Sequence, residues 1–322
     1  MTAFGYTMMT EQSRPDRLVR DLVAAEAAGF DFSVCSDHYQ PWLAEQGHAG
    51  YAWAILGAAA QATERIGLMT YVTCPTIRYH PAVVAQKAAT LGILSDGRFR
   101  LGLGSGENLN EHVVGQRWPA VGARHEMLAE AVRIIAALLD GADSLNFRGE
   151  HFTVEQARLW DLPAERVPIG IAVSGEQSCR LAGRHGDLMI AVEPRAELGE
   201  MFDAAGGEGK GRIGQVALCY DPDREAAVER AHEQFRWFGF GFKVNADLPN
   251  PESFDAAAAF VSPRQVAEAI SCGPDLEAHV EAIRPFLDAG FTEVALVQIG
   301  GEHQEPFLRW AQETLLPALR GL

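Results

Sequence analysis

The sequence predicts a closed (β/α)8 barrel of the TIM type, and three observations predict it. Eight short apolar runs alternate with longer helical patterns along the chain. Helical segments stop at glycine, as at Gly29 and Gly290, where a left-handed C-cap carries no Cβ strain. The length, 322 residues, lies within reach of one barrel and does not demand two domains. An open doubly wound sheet shows the same alternation, because periodicity does not reveal closure. The strand count favours the barrel, and residues 1–322 are read as a single barrel domain.

The elements follow in order. Phe4–Met8 is a strand and Leu18–Ala28 an amphipathic helix. Phe32–Ser36 precedes the helix Ala52–Ala62, Ile66–Val72 precedes Ala82–Leu94, and Phe99–Gly104 precedes Ala123–Leu139. Ile169–Ser174 is followed by Glu176–His185, Leu188–Val192 by Glu197–Ala205, and Gln215–Tyr220 by Arg224–Phe235. The helix Leu276–Ala289 leads into the eighth strand, Glu293–Ile299. The helices are rich in Ala, Leu and Glu, which favour that conformation. Three stretches break the repeat. Leu145–Val154 alternates around Gly149 and reads as a hairpin. Residues 234–261, between the seventh and eighth strands, are rich in aromatics, glycine and proline. They read either as a lid over the C-terminal face or as a packed peripheral insertion. Trp310–Leu319 is a closing helix.

Composition narrows the function. The chain is 48% hydrophobic and 22% charged, ordinary for a globular enzyme with a large core. A net charge of -16 disfavours nucleic acid and anionic membranes as partners. Cys35, Cys74, Cys179, Cys219 and Cys272 are widely spaced with no CxxC, so neither a metal site nor a disulfide framework is expected, and a cytoplasmic location fits. No apolar run approaches the ~18 residues of a membrane span, and the N-terminus lacks the pattern of a signal peptide.

Catalytic groups of a barrel gather at the C-terminal ends of its strands. After the second strand comes Ser36-Asp37-His38-Tyr39-Gln40-Pro41-Trp42. Imidazoles in general titrate near neutrality, so His38 is the candidate general base, and a loop-capping histidine is its plain alternative. Asp37 either orients that ring or bonds a cofactor. Cys74 follows the third strand, and Gly106, Glu107 and Asn110 follow the fourth. Glu107 is either a carboxylate stabilised by the helix dipole or, if buried beside another acid, a proton donor. Leu101 to Gly106 reads G-x-G-x-G and not the dinucleotide spacing. Ser174-Gly175 opens a helix and offers an anion site, or a plain cap.

On these residues the chain resembles the luciferase-like oxidoreductases that use the deazaflavin coenzyme F420, closest to the glucose-6-phosphate dehydrogenase group among them. The resemblance is carried by Ser36 to Trp42, Cys74-Pro75-Thr76-Ile77-Arg78-Tyr79-His80-Pro81-Ala82-Val83, Gly104 to Glu111, and Ala182-Gly183-Arg184-His185-Gly186-Asp187. It implies a homodimeric barrel with the coenzyme at its C-terminal end. It implies that His38 takes a hydroxyl proton while the adjoining carbon passes hydride to the ring. Glu107 would supply a proton or stabilise charge, and Trp42 would shield the intermediate. Asp37 would bond the cofactor. A cis peptide at Tyr71–Val72 would buttress the ring, with Cys74, Gly106, Asn110, Ser174 and Gly175 lining the cofactor site. The same resemblance implies a substrate-phosphate site of a threonine, two lysines and an arginine. Here Val192 and Glu193 stand at the threonine, Arg195 replaces one lysine, and Lys243 is the candidate for the other. The helix expected to carry the arginine reads Val266-Ala267-Glu268-Ala269-Ile270, with no cation. A dianionic phosphate needs several charge-assisted bonds. The expectation is therefore a small-molecule alcohol or carbonyl substrate that is not a sugar phosphate. The competing readings are a glucose-6-phosphate dehydrogenase, an FMN-dependent monooxygenase on the same barrel, and a non-catalytic flavin-binding barrel.

Overall fold

A computed structural model describes residues 2–322. The barrel strands are β1 (Ala3–Met8), β2 (Phe32–Cys35), β3 (Gly67–Thr70), β4 (Phe99–Leu103), β5 (Ile169–Ala172), β6 (Leu188–Ala191), β7 (Gly211–Cys219) and β8 (Glu293–Gln298). Each pairs in parallel with the next, β8 pairs with β1, and the β6–β7 pairing completes the ring. The sheet is closed, so the open doubly wound alternative is set aside.

Side chains alternate across each strand. Phe32, Val34, Met69, Leu188, Ile190, Ile213 and Ala295 fill the barrel interior. Their neighbours Phe4, Tyr6, Met8, Leu68, Leu101 and Ile171 face the surrounding helices. Each large apolar side chain buried this way stabilises the fold by ~1.5–3 kcal/mol. Gly5 is needed inside: a Cβ there would stand 2.4 Å from the Phe32 ring. Below, Arg100 of β4 reaches Glu293 of β8 on the opposite wall through two bonds of 2.8 and 2.7 Å, which closes the floor. The interior is therefore a packed plug, and ligands have access only from the upper, C-terminal face.

The helix Pro15–Ala28 begins on proline and ends at Gly29, whose φ of 95° is left-handed; Gly290, at 78°, closes Leu276–Asp288 in the same way. The expected hairpin pairs Leu145–Arg148 with Thr153–Ala157. Two element starts differ from expectation by four residues or more. β7 starts four residues early, at Gly211, and the last helical run starts at Gln304, ahead of Trp310. No helix among the described residues is long and apolar enough to cross a membrane.

The segment between β7 and β8 is helical and longer than expected. It contains Arg236–Phe240, Phe242–Asn245, Pro251–Ala258 and Pro263–Ala269, and returns through Ser271–Cys272, which pairs with β7. Phe235, Trp237, Phe254, Val266 and Ile270 form a separate core with Met9, Leu43, Leu109, Val297 and Ile299. The second group lies at or just beyond the C-terminal ends of β1, β2, β4 and β8. The segment is thus a packed cap on the face where the sequence puts the chemistry. Arg224–Phe235 belongs with it, since its buried Ala227, Ala231 and Phe235 join the cap core.

Candidate active site

His38 lies between two carboxylates. Its Nδ1 is 3.1 Å from Glu11 Oε1 and 3.3 Å from the Gln40 carbonyl; its Nε2 is 3.7 Å from Glu107 Oε2. The Gln40 carbonyl can only accept, so that bond uses a hydrogen on Nδ1, while Glu11 Oε1 faces the ring without a hydrogen-bond partner. The 3.7 Å gap is too long for a hydrogen bond, so Nε2 and Glu107 both remain available to a ligand. Glu11, fully buried, is anchored by Ser36 Oγ at 2.6 Å and by Thr10 Oγ1 at 3.3 Å. Sequence reasoning missed Glu11. The usable signal was its place just beyond the C-terminal end of β1, inside a polar stretch that otherwise reads as loop.

Burial raises the Glu107 carboxyl above the ordinary glutamate range; nearby His38 pulls it down and Glu11 pushes it up. Trp42 packs on His38, with ring centroids 4.1 Å apart, and stacks at 4.0 Å on Trp237 of the cap. Gln46 Oε1 accepts from the Trp42 backbone N–H at 2.9 Å, and its amide donates to the Gln234 carbonyl at 3.2 Å. The indole is therefore held from both the barrel loop and the cap.

Asp37 is held by bonds within the chain. Its fully buried carboxylate accepts from Trp53 Nε1 (3.1 Å), Thr73 Oγ1 (2.7 Å), Arg78 Nη2 (3.2 Å) and Tyr79 Oη (3.1 Å). These four internal donors engage both oxygens and tie the loops after β2 and β3 together. Arg78 extends the tie: its backbone N–H donates to Glu111 Oε2 at 2.8 Å and its Nε is 3.5 Å from Oε1. Burial pushes Glu111 up to about 7, although Arg78 opposes it. The folded chain holds this proton more tightly than the unfolded chain. Its contribution to stability is complete below about pH 4.5 and is lost as pH rises toward 7. Glu111→Gln removes the titration. Thermal unfolding measured from about pH 5 to 7.5 should show Tm declining more steeply in the parent than in the variant; parallel curves would contradict the assignment.

The remaining cofactor candidates line the same face. The Tyr71–Val72 peptide is cis. Gly106 has φ of 84°, and a Cβ there would stand 2.5 Å from Cys74 Sγ, so only glycine suits this backbone. Cys74 is buried against Thr76 Oγ1 at 3.0 Å, and burial raises its thiol well above the usual range. Asn110 Oδ1 accepts the backbone N–H groups of Tyr39 (2.8 Å) and Gln40 (3.4 Å), joining the loops that carry His38 and Glu107. At the head of Glu176–His185, Ser178 Oγ accepts from the Ser174 N–H at 3.0 Å, while Gly175 faces open space on its Cβ side. The buried Glu107 Oε2, Trp42 Nε1 and Tyr71 Oη have no hydrogen-bond partner. Orphaned polar atoms beside side-chain-free backbone suit a planar heterocycle with its own donors and acceptors.

The candidate substrate residues are less convergent. Glu193 and Arg195 are exposed and face each other at 3.5 Å, and Arg195 is also 3.9 Å from Glu197. Lys243 is exposed on Phe242–Asn245 of the cap. The expectation of a helix without a cation is corrected: the helix starts earlier, at Pro263, and so includes Arg264, which pairs with Glu268 at 2.9 Å.

Comparison with known proteins identifies the family. The sequence profile of the luciferase-like monooxygenase family matches residues 1–293. An F420-dependent glucose-6-phosphate dehydrogenase of Nakamurella multipartita is 37% identical over 99% of this chain and 97% of its own length. A protein of the same name from Amycolatopsis mediterranei is 36% identical over the full length of both. An F420-dependent secondary alcohol dehydrogenase, solved with an F420–acetone adduct, superposes with a TM-score of 0.90 at 29% identity over 99% of each chain. The chain belongs to the luciferase-like family.

Proposed function

We propose that the protein is an F420-dependent oxidoreductase that interconverts an alcohol and a carbonyl compound, and that its substrate carries no phosphate. The observation that supports it most is the placing of His38 Nε2 opposite the buried Glu107 carboxyl, 3.7 Å apart across one gap. The deazaflavin, when bound, supplies the hydride acceptor. His38 Nε2 takes the hydroxyl proton of the alcohol. Glu11, against Nδ1, offsets the positive charge the ring then carries. Burial disfavours the Glu107 anion and so raises its carboxyl above the ordinary glutamate range, which suits it to hold a proton for the reaction. Trp42 covers the imidazole and excludes water from it. Gly106 and Gly175 leave the backbone open to the cofactor.

The argument against a phosphorylated substrate is electrostatic. Arg195 and Arg264 already have carboxylate partners, and Glu193 would repel a dianion. Val192, 47% exposed, presents an apolar surface at the expected phosphate position. The names of the 35–37% identical relatives favour a second reading, a glucose-6-phosphate dehydrogenase. The reading also carries a cytoplasmic homodimer. Exposed Val83, Ile93 and Leu94 on the helix Pro81–Leu94 support a second copy at that face.

Titration of apoprotein with F420 and with FMN, followed by fluorescence, should give tight binding of F420 only. Turnover should then appear with neutral secondary alcohols. Glucose 6-phosphate is expected to show kcat/KM at least about tenfold lower, the worth of one missing charge-assisted bond. Preference for the phosphate ester would overturn the substrate reading, and preference for FMN the cofactor reading.

A further inference from the structure

Glu107 caps the four-residue helix Asn108–Glu111, and that helix is pinned at both ends. Arg78 holds Glu111 from the barrel side. From the cap side, the Asn108 N–H donates to the Ala246 carbonyl at 2.9 Å and its side-chain amide donates to the Asp247 carbonyl at 3.0 Å. The Asp247 carboxylate then reaches past this helix to the segment that follows it. Its Oδ1 accepts from Trp118 Nε1 at 2.9 Å and from Arg124 Nη1 at 3.3 Å. Arg124 is held in waiting: its side chain is 7% exposed, its Nη1 also donates to the Pro119 carbonyl at 2.9 Å, and its guanidinium lies 4.3 Å over the Trp118 ring. Asp247 itself is 66% exposed. A preset cation and indole thus meet a single carboxylate that comes from the other side of the cleft.

We infer that Asp247 is a positioning residue: it latches the cap to the loop after β4, and so fixes Glu107 while the site is closed and governs cofactor release. The cap's near end is secured independently, by Trp237 on Trp42 and by Arg236, which reaches Glu45 at 2.8 Å and Asp255 at 2.7 Å. Within residues 243–248, Lys243 and Val244 are exposed, Asn245 and Ala246 are buried and Leu248 packs on the cap core, and the bonds at Asn108, Trp118 and Arg124 join this end to the loop after β4. Loss of the carboxylate leaves the buried guanidinium without its counter-charge, which opposes closure. An ordinary surface ion pair has no such consequence. The catalytic consequence rests on reading Glu107 as the acid; the latch itself does not.

Amide hydrogen exchange on the apoprotein separates the two. In Asp247→Ala, exchange at residues 242–248 and 107–111 should accelerate about tenfold, as for one lost hydrogen bond of about 1.4 kcal/mol, with the barrel strands unchanged. Trp118→Phe, which removes only the indole donor, should reproduce much of this effect. Asp247→Asn, which keeps an oxygen acceptor for Trp118 but removes the charge facing Arg124, should restore only part of the protection. With F420 loaded, Asp247→Ala should release the cofactor about tenfold faster in a displacement experiment. Unchanged exchange at 242–248, or acceleration spread evenly over the barrel, would overturn the latch. Local acceleration with no F420 binding in any variant would keep the latch and defeat the cofactor reading.

Discussion

Replacing His38 by alanine should lower kcat by about 10²–10⁴-fold, the usual worth of a positioned general base. The affinity for F420 should change little. The argument is local. Glu11 keeps its bonds to Ser36 and Thr10 when the imidazole is removed, so the loop after β2 retains its anchor. Asp37, next in the chain, stays tied to Trp53, Thr73, Arg78 and Tyr79. What is lost is the ring whose Nδ1 faces Glu11 and whose Nε2 faces Glu107. Steady-state rates at saturating cofactor, with a parallel binding titration, measure the two quantities separately. Turnover equal to the parent's would remove His38 from the mechanism.

Glu107→Gln should cost a comparable factor, about 10²–10⁴ in kcat, because the amide preserves shape but has no proton to give. Its pH profile is the sharper readout. Burial lifts the Glu107 carboxyl, so the acid form persists to higher pH than in an ordinary glutamate. In the direction that uses the acid, parent activity should fall as pH rises through this lifted value. The Gln variant's residual activity should lack that limb. An alkaline limb of the same midpoint in both proteins would show that another group is responsible. Glu111, about 7 and close by, is the group such a result would implicate.

Much of this architecture is legible from residue order. Strands read well because the barrel buries both faces of each, so a short apolar run is enough to mark one. β7 begins early because Gly211 and Arg212 carry no apolar signal. Arg212 joins the strand with its guanidinium bonded to Asp203 at 2.6 Å, a partner only the fold supplies. The last helical run was obscured for a similar reason. Gln304 looks like loop chemistry, yet it is buried, accepting from Tyr6 Oη at 2.8 Å and donating to the Gln298 carbonyl at 3.0 Å.

The site divides along the same line. His38, Trp42 and Glu107 stand in motifs at strand ends, and those ends are visible in sequence. Glu11 and Asp247 are single acids in polar stretches, and their roles arise from contacts 27 and 123 residues away, His38 and Arg124 respectively. Asp37 shows the converse limit. Its motif was plain, but the four donors that occupy it come from residues 53, 73, 78 and 79, and no spacing announces them.

A crystal structure of the F420 complex tests the account most directly. The deazaflavin should lie against Gly106 with its reactive edge within about 3.5 Å of Glu107 and facing His38 Nε2 across room for one small alcohol. A ring seated elsewhere, or one that places residues 38 and 107 on opposite sides of the bound coenzyme from its reactive carbon, would contradict it.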